Sequence, residues 1–549
     1  MIISKCADDT TIYSSWRVDG KKVENRVAQT PYFFILDEER ERASYSVGKY
    51  LQRDFSYQRG EYYSLEGSKL KKVFVEKQSD IYEAKKSFSQ TFEADVPLHF
   101  RYCVDNLESI PEYKMRKWYW DMEWQQGGEY DGCITTIVMY DNYDEKYYQW
   151  VWLPIDEQLD TVFDAGVRFI FDNEKDMIES FINTMIDKDP DMLIAWFGSK
   201  FDLPKLLERC AFHNIDPRII SPINFVKGIK EKRGNITYTK QGGYSAIEQA
   251  IGGRITLDLD LAFERQWNDA QKGTLPSLSL EYVSNLLFGE GKVKESKFTD
   301  KNEFFERAWL EDTEVYLEYA LKDVELIVRL DEENFCSESI LALQRLLIAP
   351  FDACFYASHM GSIYFMRNAD WKAKTGSKVD KRVEYDGAMI YHPLDEGTNG
   401  LHHNVAAFDF AGLYPSMIIA RNISFETKST EPTKFVCDLN TPRHLKDVEW
   451  EQNLRYFKTD KLGLLPKALL ELKELRKEYK KNMKLAETKE EKSKWNNNQM
   501  AVKRLMASFY GILAFQGFGW SDVDLAASIT ASARESIRFV AKKAKEMEK

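Results

Sequence analysis

The 549-residue chain is 44% apolar, 14% aromatic and 30% charged, so at roughly 150 residues per domain it can bury three or four separate cores. A peptide, a single small module and a simple repeat are excluded. The net charge of −12 argues against a surface coated with phosphate-binding lysines, although a local basic channel is all that nucleic acid requires. The seven scattered cysteines include no C-x-x-C pair, which predicts a reducing interior with neither a disulfide frame nor a zinc site. The N-terminus lacks a signal-peptide pattern, and no apolar run approaches the ~18 residues of a spanning helix. The expected location is the cytoplasm.

Residues 1 to about 115 mix short β-like runs, TPYFFIL (30–36) and KKVFVEK (71–77), with charged turns. They read as a small α/β or mostly β module. From Lys117 three strand-like runs follow, KWYWDMEW, CITTIVMYD and YYQWVWLP, and predict a meander. Helices are expected around 174–188 and 203–213, separated by the apolar strand MLIAWF (192–197). GGRITLDLD (252–260) reads as another strand, and 312–334 as a long helix. Strands followed by packed helices describe an α/β domain of nuclease size.

Asp121 and Glu123 fall two apart in the first run, so a strand presents both carboxylates on one face. Held that close they repel unless a cation lies between them, although an exposed strand face would show the same pair. Asp202 follows the strand MLIAWF through the loop GSKF, and it could equally cap the next helix. Tyr319 and Asp323, four apart, share a helix face. Together the four acids match what two-metal phosphodiester hydrolysis requires: oxygen ligands for hard divalent ions and a tyrosine to orient the attacking water.

These motifs resemble the proofreading 3′–5′ exonuclease domain of family B DNA polymerases. The family's D-I-E is here Asp121-Met122-Glu123, its N-x-x-x-F-D is Phe197 to Asp202, and its Y-x-x-x-D is Tyr319 to Asp323. The resemblance implies an RNase H-like domain with Asp121, Glu123, Asp202 and Asp323 as metal ligands. Phe197 replaces an asparagine that helps hold the frayed primer strand, which places it among the implied DNA contacts.

Past a helical connector, NVAAFDFAGLYPSMIIARN (404–422) reads as a buried strand entering a helix. Segments 464–485 and 496–513 read as a helical hairpin joined by the charged stretch 487–495. Lys473, Arg476, Lys480 and Lys484 form one cationic stripe on the first helix, and Lys503, Ala507 and Tyr510 share a face of the second. Residues 461–510 hold 13 Lys/Arg against 6 Asp/Glu, a pattern that a solvated helix face also produces.

AFDFAGLYPSMI resembles the family's palm signature D-x-x-S-L-Y-P-S, with Gly412 in place of the serine. This implies that Asp409 is a catalytic metal ligand and that Tyr414 packs under the incoming sugar. Glu384 to Ala388 resembles the Y-x-G-G linker that touches template backbone, which implicates Tyr385 and Gly387. The hairpin is similar to the polymerase fingers. By that likeness Arg476, Lys480 and Lys503 neutralise triphosphate charge and Tyr510 packs near the nascent base pair, with Ala507 replacing an asparagine.

No D-T-D or equivalent motif follows the fingers; the DVD at 522–524 precedes the last helix. The resemblance therefore implies the N-terminal subunit of a split archaeal or viral-type polymerase, or a truncated form without the second palm motif and thumb. The expected architecture is multidomain α/β and α+β. Its parts are an N-terminal domain (1–115), an exonuclease domain (116–335), a helical connector (336–380), the first part of the palm (381–460), fingers (461–511) and a return segment of the palm (512–549). Implied cofactors are Mg²⁺ or Mn²⁺ in two-metal sites. Implied partners are primer–template DNA, single-stranded 3′ ends, dNTPs and a second polymerase subunit, with a sliding clamp as a further candidate. The resemblance further implies association with the nucleoid, or a place in the host cytoplasm for a viral member. A stand-alone exonuclease and a non-catalytic DNA-binding replication subunit are the alternative readings.

Overall fold

Alternation of aromatic and polar residues produces the strand Lys117–Trp124, whose Trp118, Trp120 and Met122 enter the core while Asp121 and Glu123 take the opposite face. The computed structural model describes residues 1–39, 55–154, 159–239, 250–269, 273–291, 297–298, 301–370, 372–373, 375–376, 382–389, 400–401, 403–405 and 409–547. They form two compact units, Met1–Gln29 with Glu108–Phe355, and Thr30–Leu107 with Tyr356–Lys549. Residues 1–115, expected as one N-terminal domain, are thus shared between the two. The first three strands (Ile2–Lys5, Thr11–Val18, Lys21–Ala28) make their own antiparallel sheet. Ion pairs from Arg17 to Asp191 and from Lys22 to Asp189 tie it to the rest of the first unit.

The first unit is organised by a seven-stranded sheet in the order Val162–Phe163, Gly166–Phe171, Lys146–Trp152, Ile134–Asp141, Lys117–Trp124, Met192–Ala195, Ile255–Asp258. The middle three strands are the expected antiparallel meander. Met192–Ala195 then runs parallel to Lys117–Trp124, and Ile255–Asp258 parallel to Met192–Ala195. This order sets the D-x-E strand beside the strand that leads to Asp202. Helix Thr313–Asn334 packs across strands Lys117–Trp124 and Ile134–Asp141, with Tyr316, Leu317, Tyr319 and Asp323 buried. The strand expected over 252–260 is shorter. Its pairing ends at Asp258 opposite Ala195, and once the ladder has no further partner the chain turns into helix Leu259–Asp269.

In the second unit, strands Tyr32–Leu36, Ser56–Ser64 and Lys69–Phe74 form a sheet with Lys372–Ala373. A small antiparallel sheet (Lys428–Ser429, Leu454–Phe457, Phe435–Asp438) is covered by the helix Val523–Met547. The helical hairpin is present as Leu464–Leu485 and Lys489–Ala514. The second helix begins seven residues earlier than expected because Thr488 caps it, accepting the Glu491 N–H at 3.1 Å, and Glu490 and Glu491 lie at the positive end of its dipole. The expected buried strand before Leu413 falls largely on residues outside the described set. Residues 406–408 lie outside the described set, while Asn404, Val405, Asp409 and Phe410 are exposed and in no strand. Helix Leu413–Ala420 follows as expected. Gly412, just before it, has φ +69°, a left-handed conformation that glycine takes without the strain a serine would meet. Among the described residues no helix is long and apolar enough to cross a membrane.

Candidate functional site

Asp121 and Glu123, from the D-x-E strand, and Asp323, from the helix Thr313–Asn334, bring carboxylate oxygens within 4.8 Å of one another. Elements almost 200 residues apart in sequence therefore converge on one acidic centre. Asp121 and Glu123 are half-buried and Asp323 is buried. Three like charges at this spacing are unfavourable without a cation, and an all-oxygen donor set fits a hard divalent ion.

Asp202 stands beside this triad as the first residue of helix Asp202–Phe212, fully in the first turn and not at its cap. Burial, and then the charges of Asp121 and Glu123, push its carboxyl well above the ordinary carboxylate range, opposed by backbone N–H groups of Asp202 and Met122. The preceding loop is tight. A methyl group on Gly198 would lie 2.4 Å from Ala195 Cβ and 3.8 Å from Asp202 Oδ2. Tyr319 lies one turn before Asp323, 7% exposed, with its ring against Phe304 and Phe305. Tyr316 adds a layer behind it: its hydroxyl pairs with Thr135 Oγ1 at 2.8 Å, which donates to the Glu123 carbonyl at 3.0 Å. Tyr316 is seven residues before Asp323 on the same helix face, a spacing that could have singled it out.

Phe197 occupies a left-handed conformation, φ +60°, unusual for a bulky residue. Its ring is half-buried, edge-on to Phe201 and covered by Lys200 Nζ at 4.6 Å. Two further acids, Asp258 and Asp260, meet this loop from the end of the Ile255–Asp258 strand. Phe197 N–H donates to Asp260 Oδ1 at 3.1 Å, and Ser199 donates its N–H and hydroxyl to Asp258 at 2.9 and 2.5 Å. In sequence, a D-x-D at a strand end does not by itself single either acid out.

Burial, and then the charge of Asp258, raise Asp260 from 3.8 to about 7. The folded chain therefore holds this proton more tightly than the unfolded one. The stability linked to it is present in full below about pH 4 and is lost as pH rises through 7. Asp260→Asn removes the penalty. Its melting temperature is expected to exceed that of the wild type by more at pH 8.5 than at pH 5, as read by differential scanning fluorimetry.

In the second unit the tyrosines singled out from sequence are brought together. Tyr414 and Tyr510 rings are 4.4 Å apart, and the Tyr385 and Tyr510 hydroxyls are 3.1 Å apart. Arg476 lies on the first hairpin helix and donates to Gln499 on the second at 3.1 Å. Lys480 is held below its ordinary value first by Arg476, then by burial, then by Lys484 and Lys503, so the four cations converge. Asp409 is exposed, and among the described residues no carboxylates form a metal-holding group with it. Arg534, which sequence reading missed, is fully buried. It donates to the carbonyls of Asp386 and Gly387 at 2.8 and 2.6 Å, and to those of Thr441 and Leu439 at 2.6 and 2.8 Å.

Residues 119–283 match the model of the DNA polymerase family B exonuclease domain, and residues 355–549 that of DNA polymerase family B. The chain is 28% identical over 474 residues to a DNA polymerase of Pyrococcus glycovorans, an alignment covering 83% of this chain and 54% of the relative. It is likewise 28% identical over 468 residues to one of Thermococcus sp. (strain 9oN-7), with 83% and 54% covered. For a DNA polymerase of Desulfurococcus sp. (strain Tok) the figures are 27% over 465 residues, with 81% and 53% covered. The chain spans about half the length of the curated relatives it matches. With an exonuclease-domain match over the residues that include Asp121, Glu123 and Asp202, and a polymerase match over the residues that include the helical hairpin, the chain belongs to the family B DNA polymerases.

Proposed function

We propose that this chain removes nucleotides from single-stranded 3′ ends of DNA and contributes residues to a polymerase site. The observation that carries the first part is the convergence of Asp121, Glu123 and Asp323 within 4.8 Å. These three, with Asp202, would hold two Mg²⁺ or Mn²⁺ ions. Bound divalent cations supply a more acidic water and charge neutralisation at the scissile phosphodiester. Tyr319 orients the attacking water through its hydroxyl, and its packing against Phe304 and Phe305 restricts the ring to one direction. Tyr316 and Thr135 fix the Glu123 backbone, so the carboxylate keeps its place.

For nucleotidyl transfer, Asp409 would be one metal ligand. Tyr414 would lie under the sugar of the dNTP, Arg476, Lys480 and Lys503 along its triphosphate, and Tyr510 beside the nascent pair. Tyr385 and Gly387 would follow the template backbone. Two-metal transfer needs more than one carboxylate, and Asp409 has no companion motif after the fingers. The parts divide as an exonuclease domain over 116–335, a palm over 381–460 and 512–549, and fingers over 461–511.

A 5′-labelled primer–template incubated with Mg²⁺ and this chain tests the division. Without dNTPs the primer is expected to shorten, and with dNTPs it is not extended beyond its starting length. Extension by these 549 residues contradicts the reading that Asp409 has no companion carboxylate among them. Arg476→Ala is expected to weaken dNTP binding about tenfold, in line with loss of one charge-assisted contact, measured by quenching of a fluorescent nucleotide. Unchanged binding would remove Arg476 from the site.

A further inference from the structure

Two buried carboxylates outside the metal-binding set have a specific geometry. Asp258 and Asp260 are 3% and 0% exposed, and both direct oxygens at one short loop. Asp260 Oδ1 takes the Phe197 N–H, and both Asp258 oxygens are taken by Ser199. Asp260 Oδ2 is buried without a hydrogen-bond partner among the described residues, so this acid is kept at a cost.

What the two acids hold is a strained turn. Phe197 is left-handed at φ +60°, and such residues persist only where the surroundings over-determine them. Gly198 leaves no room for a side chain against Ala195 and brings the loop to Asp202 Oδ2. The Phe197 carbonyl then accepts from the N–H groups of Lys200 and Phe201 at 2.9 and 3.2 Å, closing the turn that leads into the helix of Asp202. The result presents an aromatic surface next to a metal-binding carboxylate. Phe197 is capped by Lys200, and Phe201 is 54% exposed. A flat ring beside a cation is how proteins take a single-stranded base together with its phosphate.

We propose that Asp258 and Asp260 are positioning residues that lock residues 197–201 in this turn, so that Phe197 stacks on the terminal base of the strand and sets it beside Asp202. The inference rests on the exonuclease reading given above. A base-stacking ring takes over at the position where the family has a hydrogen-bonding amide, and the two acids supply the backbone anchoring that a phenylalanine in this conformation needs.

The test uses the full chain and a single strand ending in 3′ 2-aminopurine, whose fluorescence is quenched by stacking. Ca²⁺ serves for binding and Mg²⁺ for turnover. D258A, D260A and F197L are expected to lose the quench contributed by the protein and to raise KM for the strand about tenfold, while the Mg²⁺ concentration for half-maximal rate stays within twofold. D258N and D260N retain an acceptor for the loop N–H groups and are expected to keep quench and KM within about threefold of wild type. Should the alanine variants fail to fold, F197L and the two asparagine variants still decide. Wild-type quench and KM in D258A and D260A, or in F197L, overturn the proposal, as does equal loss in the asparagine variants. A wild-type chain that leaves the strand uncut overturns the exonuclease reading itself, which separates the two failures.

Discussion

Alanine at both Asp121 and Glu123 is expected to reduce 3′-end hydrolysis at least 10³-fold, equivalent to about 4 kcal/mol of barrier, while leaving the chain folded. The two side chains reach the triad from one face of a strand whose other face supplies Trp118, Trp120 and Met122 to the core. Truncating the first set leaves the second untouched. The apo protein is expected to gain stability, since removing two of the clustered carboxylates relieves repulsion. Relief of the charge that raises Asp202 is a direct consequence. A melting temperature equal to or above that of wild type, together with lost activity, distinguishes a missing metal site from a damaged fold. Persistent hydrolysis would mean that the site lies elsewhere.

Arg534→Met is expected to destabilise the second unit by about 3 kcal/mol or more. The guanidinium is fully buried and serves four backbone carbonyls from two separate segments, 386–387 and 439–441. Methionine fills the space but withdraws the donors from those acceptors, of which the Asp386 carbonyl keeps the Thr530 hydroxyl. Lysine is expected to rescue little, because one ammonium cannot reproduce the planar fork. The segment 385–387 includes Tyr385, which meets Tyr510, so hydrogen exchange should rise there first. Unchanged protection of 385–387 in Arg534→Met would show that the linker is held by other contacts, among them the Thr530 hydroxyl on the Asp386 carbonyl at 2.8 Å.

The parts of this protein that could be read from its sequence are those whose geometry is local. A period of two puts Asp121 and Glu123 on one strand face, and a spacing of four puts Tyr319 and Asp323 on one helix face. The folded chain brings the strand pair and Asp323 together. The meander and the long helix were legible for the same reason, because aromatic alternation and helical periodicity act over a few residues. Asp258 and Asp260 were not legible, since their value lies in the N–H groups of Phe197 and Ser199, about 60 residues earlier. Arg534 reaches carbonyls 93 to 148 residues away, and nothing near it in sequence marks that. The start of the second hairpin helix was missed through its charge. Thr488 and the two glutamates after it form an N-terminal cap, whereas a run of charged residues by itself suggests a loop.

The decisive measurement for the acidic centre of Asp121, Glu123 and Asp323 is hydrolysis of a 5′-labelled single-stranded DNA by the wild-type chain, with and without Mg²⁺. A ladder of products shortened from the 3′ end is expected, absent in EDTA and absent with D121A/E123A. An intact strand in Mg²⁺, or the same ladder from the double variant, would contradict it.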